Sequence, residues 1–132
     1  MSQENVDSLR AVYEQWGRGN FQAGLDLYDP HVLFIPLADA PERGPYLGRE
    51  SISEFMRTWL EPWTNLTVTA DEFIEAENSV VVSVHQRGVG QESGAPAEVR
   101  FFQVWSFRGP AVTRLEHFRD RAEALEAVGL SE

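Results

Sequence analysis

Two long strand-forming runs, 99–107 and 111–118, meet at Arg108-Gly109-Pro110, and no other stretch limits the fold of this chain as much. Aromatic and β-branched residues dominate both runs and Gly-Pro is turn chemistry, so together they read as an antiparallel hairpin. Alternate side chains of a strand go to opposite faces. One face then carries Phe101, Gln103, Trp105 and Phe107 beside Val112, Arg114, Glu116 and Phe118. Ionisable groups set in an aromatic wall are costly to bury unpaired, which points to a lined pocket rather than plain core. A slip of one residue in the second strand would turn Arg114 and Glu116 to solvent as a charged pair. Leu115 and His117 would then point inward.

The stretches before the hairpin are also strand-like. Leu66 to Glu77, Val80 to Gly90, Glu98 to Arg108 and Ala111 to Arg119 are separated by Asn78-Ser79, by 90–96 with Gly94, and by Gly109-Pro110. Consecutive strands with short links predict an antiparallel meander. The front half has helical spacing. Val6, Leu9, Val12, Tyr13 and Trp16 share one face of a helix ending at Gly17. Asn20 is placed to cap a second, shorter helix through Phe21, Leu25 and Tyr28, which Asp29-Pro30 stops. His31 to Ile35 is a short strand, and 37–48, with Pro41, Gly44, Pro45 and Gly48, is a loop with the length of a flap. Ile52, Phe55, Met56, Trp59 and Leu60 mark a third helix, opened by the Ser51/Glu54 capping spacing or a turn earlier, after Gly48. Asp120 and Glu123 open a short last helix that Gly129 ends.

Helices first and a long-stranded sheet after them is the α+β class: a curved, cone-shaped antiparallel sheet wrapped around the N-terminal helices, with a short C-terminal helix. The 132 residues read as one domain. A formal charge of −10 argues against nucleic acid and anionic membranes as partners, since both need a basic face. No apolar run is long enough to cross a bilayer and no leader pattern opens the chain, so a cytoplasmic location is expected. The absence of cysteine excludes disulfides, thiolate metal sites and thiol nucleophiles. His31, His85 and His117 lack metal-ligand spacing, and 88–94 lacks the lysine and the strand-to-helix setting of a phosphate loop. No cofactor is implied.

Several motifs resemble the SnoaL-like branch of the nuclear-transport-factor-2-like superfamily along essentially the whole chain. They are Gly19-Asn20-Phe21, Leu27-Tyr28-Asp29-Pro30-His31-Val32, Gly48-Arg49-Glu50-Ser51-Ile52, Val104-Trp105-Ser106-Phe107-Arg108-Gly109 and Asp120-Arg121-Ala122-Glu123-Ala124-Leu125. The resemblance implies a single domain over 1–132 and a conical cavity, but many chemistries share that scaffold. In steroid-isomerase-like members a carboxylate base stands where this chain has Ile35, and an oxyanion-binding tyrosine where it has Val12. Tyr13, one residue off, points elsewhere, and their second oxyanion acid is matched by Gln103. Isomerase chemistry of that kind is therefore not implied. The comparison with limonene-epoxide hydrolases puts an acid at Glu116 and their Arg and second Asp near His85 and Arg87, so the trio here departs from their Asp-Arg-Asp but still offers a base, a cation and a carboxylate. Polyketide-cyclase members use an acid–base residue deep in the cone, a role open to His85 or Glu116.

The expectation is a cone that binds a compact, largely apolar organic molecule. Glu116 and His85 are the candidate acid–base residues. Gln103, Arg114, Arg87, Trp105, Phe101, Phe118, Trp59 and Tyr13 are the candidate substrate contacts. Any reaction would need proton transfer alone: cyclisation, isomerisation, dehydration or epoxide opening. The alternative is a non-catalytic binding or interaction module. His85 also has a plain reading, because Val80, Val82 and Val84 form the better core face and leave it outside. Phe102, Val104, Leu115 and Phe73 are expected on the outer sheet face, where they favour a homodimer.

Overall fold

Val6, Leu9, Val12, Tyr13 and Trp16 are all buried along one side of helix α1 (Gln3–Trp16), as their spacing requires. A computed structural model describes residues 3–38 and 44–131 of the chain. Beyond α1 the expected second helix does not form. Residues 21–24 are turns and Leu25–Leu27 is a single 3-10 turn. Gly24 explains the break: it takes φ 94°, and a Cβ there would lie 3.1 Å from a Val12 methyl. Asn20 accepts a hydrogen bond only from the Gln22 N–H, at 3.3 Å, which makes a local turn and not a helix cap. Tyr28, expected in a helix, already belongs to strand β1 (Tyr28–Ile35).

The loop after β1 holds a two-residue strand, β2 (Tyr46–Leu47), paired antiparallel with β1; residues 39–43 of the expected flap lie outside the described residues. Helix α2 (Arg49–Leu60) starts directly after Gly48, one turn before the Ser51/Glu54 spacing. The long strands follow as β3 (Trp63–Glu75), β4 (Ser79–Gly90), β5 (Pro96–Arg108) and β6 (Ala111–Phe118). The sheet order is β2-β1-β6-β5-β4-β3. Consecutive strands from β3 to β6 pair antiparallel, as expected, but β1 lies parallel to β6, so the curved, unclosed sheet is mixed. Its inner face packs against α1 and α2, with Val80, Val82, Val84, Trp105 and Leu115 in the main core.

A bulge in the last hairpin decides which side chains face inward. Phe107 pairs with Val112, but the next pair is Ser106 with Arg114, so Thr113 is an extra residue on β6. The Thr113 hydroxyl donates to the Ser106 carbonyl, at 3.3 Å. From there on the parity is reversed: Trp105 lies opposite Leu115, Gln103 opposite His117 and Val104 opposite Glu116. Leu115 and His117 therefore point inward, while Arg114, Glu116 and Phe118 point outward.

The outer face is not bare. Helix α3 (Arg121–Ala127) lies across it, and Ala124 and Leu125 form a second core with Val81 and Val104, flanked by Ile74, Phe102 and Phe118. Two of the four residues expected outside are inside. Leu115 is fully buried in the main core, and Phe73, opposite Val82, packs on Tyr13 with ring centroids 5.8 Å apart. The apolar surface that suggested a dimer is thus smaller than expected, because α3 takes part of it.

Candidate functional site

Between α1, α2 and the inner sheet face lies a cavity of about 400 Å³. Helix α2 contributes Phe55, Met56 and Trp59, and α1 with the turns after it contributes Trp16 and Phe21. The sheet supplies Phe34, Phe101 and Leu115. Besides the Tyr28 hydroxyl and the tryptophan indoles, the lining carries the polar side chains of Gln86, Gln103, His117 and Arg119. Among the described residues no carboxylate lines the cavity.

Gln103 and His117 belong to one continuous hydrogen-bond chain. The Trp105 indole Nε1–H donates to the Tyr13 hydroxyl oxygen at 2.8 Å, and the Tyr13 hydroxyl donates to Gln103 Oε1. Gln103 Nε2 lies 3.0 Å from His117 Nε2, and His117 Nδ1 lies 2.8 Å from the Ile35 carbonyl oxygen. A carbonyl can only accept, so His117 Nδ1 carries a proton; in the neutral ring Nε2 is then bare and accepts from the Gln103 amide. Burial favours that neutral ring, pushing the His117 pKa down to about 4 against the smaller upward pull of the Ile35 carbonyl. Phe34 and Phe101 flank the imidazole, with ring centroids 5.0 and 5.9 Å away. Tyr13 is held neutral in the same way: burial raises its pKa, opposed by the hydrogen bond from Trp105.

The second N–H of Gln103 finds no acceptor among the described residues. Gln86 differs again. It is 7% exposed, yet its side-chain amide makes no hydrogen bond among the described residues. Both amides line the cavity, so both are available to an occupant.

The residues singled out from the sequence divide sharply. Gln103, Phe101 and Trp59 line the cavity. Trp105 and Tyr13 stand behind it: Trp105 is fully buried, stacked on Tyr28 at 6.2 Å, and Tyr13 points at Gln103 and not elsewhere. Glu116 and Arg114 are corrected to the outer face, where they pair with each other at 2.8 Å. His85 and Arg87 are corrected likewise. His85 lies opposite Thr69 and Arg100 on the outer face, with its Nε2 3.3 Å from a Glu98 oxygen and Arg87 against its ring. Phe118 lies outside, beside the core that α3 makes. The common cause is parity: the bulge at Thr113 reverses β6, and β4 turns Val80, Val82 and Val84 inward, which leaves His85 and Arg87 outside.

Sequence reasoning missed Gln86 and Arg119 and placed His117 inside only in the alternative register. Gln86 was legible, since it shares parity with Val80, Val82 and Val84, the better core face. Among the described residues no group of three metal-ligating side chains assembles. No helix among them is long and apolar enough to cross a membrane.

The sequence matches the SnoaL-like domain over residues 9–115. No curated protein matches it. Among solved structures, a nuclear-transport-factor-2-like protein of unknown function from Burkholderia pseudomallei is 25% identical. It superposes with a TM-score of 0.78, covering 98% of this chain and 99% of its own. TerC, crystallised with polyporic acid, is 23% identical, with a TM-score of 0.75 and coverage of 94% and 96%. A protein from Catenulispora acidiphila with a ketosteroid-isomerase-like fold, solved with trimethylamine, is 21% identical, with a TM-score of 0.72 and coverage of 98% and 95%.

Proposed function

This chain belongs to the SnoaL-like domain family, and on that premise we propose that it is a small-molecule pocket protein for a compact, mainly apolar organic molecule bearing an oxygen function. The observation that carries this reading is an amide donor, Gln103, held by Tyr13 and His117 in the wall of an aromatic cavity of about 400 Å³. Concave apolar sites with a few convergent polar groups are what small organic ligands occupy. TerC, which shares the fold, was crystallised with polyporic acid, a precedent for an organic ligand on this scaffold.

Titration with 1-indanone tests the reading, because Trp16, Trp59 and Trp63 line the cavity and report its occupancy by fluorescence. Saturable quenching is expected, and a Val99→Trp substitution, which adds bulk to the lining, should abolish it. No saturable response from the unmodified protein would overturn the proposal.

A second reading is a cofactor-free proton-transfer enzyme, favoured by the neutral imidazole of His117 next to the Gln103 donor. In the free protein the Nε2 lone pair accepts from the Gln103 amide, so this reading requires the substrate oxygen to draw that N–H off the ring; the base so freed suits removal of a proton α to a carbonyl, with the enolate oxygen on the amide. Exchange of the α-protons of 1-indanone in D2O, followed by NMR, separates the two readings. Acceleration that His117→Phe removes supports the enzyme; binding with no acceleration supports the binder.

The homodimer through the outer sheet face is likewise a proposal. Its support is the half-buried Phe102 and Phe118, which α3 leaves partly exposed.

A further inference from the structure

We propose that Trp105 and Tyr13 are positioning residues that fix the polarity of the cavity's amide end, so that this end takes a hydrogen-bond acceptor and rejects a donor. The inference rests on the reading of the cavity as a ligand site, and it names the chemistry of the ligand's polar end.

The argument starts from the two termini of the hydrogen-bond chain. An indole N–H can only donate and a backbone carbonyl can only accept. With Trp105 donating to Tyr13, the Tyr13 proton is directed to Gln103 Oε1, which fixes the amide with its NH2 group toward His117. With Ile35 accepting from Nδ1, the bare His117 Nε2 faces that NH2 group. Each link points the same way.

The opposite orientation fails at both ends. Turning the Gln103 amide would leave Tyr13 accepting from two donors, with no acceptor for its own proton. It would also demand a proton on His117 Nε2, and a neutral ring would then set a bare Nδ1 against the Ile35 carbonyl. Buried polar groups left unpaired in this way are the expensive ones. The amide oxygen and the imidazole lone pair are therefore both consumed inside the protein. What Gln103 and His117 leave to an occupant is the second Gln103 N–H.

Gln86 does not spoil the asymmetry. It stands four residues along β4 from Val82, the cross-strand neighbour of Gln103. That is roughly 13 Å of strand at the usual rise, so its amide serves the other end of the ligand. The class of molecule implied is one with a carbonyl, quinone, ether or enolate oxygen at the Gln103 end and not an N–H or O–H donor there.

Three probes of one shape test this: 1-indanone (acceptor), indole (donor) and indene (neither), each titrated by NMR. 1-Indanone should bind about fivefold tighter than indene, the worth of one net hydrogen bond, and indole no tighter than indene. Tyr13→Phe should bring 1-indanone and indole within about twofold of each other and leave indene unchanged. Imidazole 15N shifts supply a readout that needs no variant and no ligand. The unmodified protein at neutral pH should show His117 protonated at Nδ1 and bare at Nε2. Indole binding as tightly as 1-indanone, or a proton on Nε2, would overturn the inference while leaving the cavity reading intact. Failure of all three probes to bind would overturn the cavity reading beneath it.

Discussion

Gln103 and His117 sit directly opposite each other on neighbouring strands, with their Nε2 atoms 3.0 Å apart, and each is committed to a second partner that fixes its orientation. Tyr13 holds the amide oxygen and the Ile35 carbonyl holds the imidazole Nδ1. The polar floor of the cavity is therefore preorganised before any ligand arrives. That is what a binding or catalytic amide needs if reorientation is not to weaken it.

The proton balance of His117 makes stability depend on pH. Its folded pKa is lowered to about 4 from the ordinary 6.5, so between those values the unfolded chain holds a proton that the folded chain lacks. Stability from this group is complete above the unfolded value and is lost as pH falls through the window to the folded one. The whole swing is at most about 3 kcal/mol. Urea unfolding at about pH 7 and about pH 4.5 should show a smaller loss for His117→Phe than for the unmodified protein. Equal losses would contradict the assignment.

Trp105 joins the core to the polar chain. It is fully buried, stacked on Tyr28, and its indole is the donor that starts the sequence of hydrogen bonds. Trp105→Phe removes volume and leaves the Tyr13 oxygen without its donor. A destabilisation of about 2–4 kcal/mol is expected in chemical denaturation. A change under about 1 kcal/mol would mean that the site relaxes around the smaller ring.

Glu116 gives the contrasting case. Its carboxylate pairs with Arg114 on the outer face, where Arg114 is half-exposed and Glu116 partly so. Glu116→Gln should change stability by no more than about 0.5 kcal/mol and leave 1-indanone affinity unaltered. A marked loss of affinity would place this carboxylate in the site after all.

The proposed outer-face dimer has a direct test at Ser83, which lies opposite Phe102 on that face. Sedimentation equilibrium should give twice the chain mass, and Ser83→Arg should give a monomer with an unchanged circular dichroism spectrum. A monomeric unmodified protein removes the proposal.

Much of the architecture was legible because it rests on local periodicity. The buried stripe from Val6 to Trp16, the apolar face of α2 and the four long strands follow from spacing and from the Gly, Pro and Asn residues between them. Even Gln86 could have been read inward by parity with the valines of β4. His85 and Arg87 were misplaced although the parity of Val80, Val82 and Val84 already put them outside, and the other failures arose where a single backbone residue changed the count. The helix expected after Asn20 is broken by the left-handed Gly24, and Glu116 exchanged places with His117 because Thr113 is bulged.

The sequence by itself determined which segments become helices and strands, and that an amide flanked by Phe101 and Trp105 would face an aromatic wall. Only the tertiary structure decided which residue of β6 meets that amide. A bulge without glycine leaves no trace in composition, yet one extra residue reverses every face beyond it. The Tyr13–Gln103–His117 contact was equally invisible. It joins side chains 90 and 14 positions apart that only the folded sheet, curved around α1, brings within hydrogen-bonding distance.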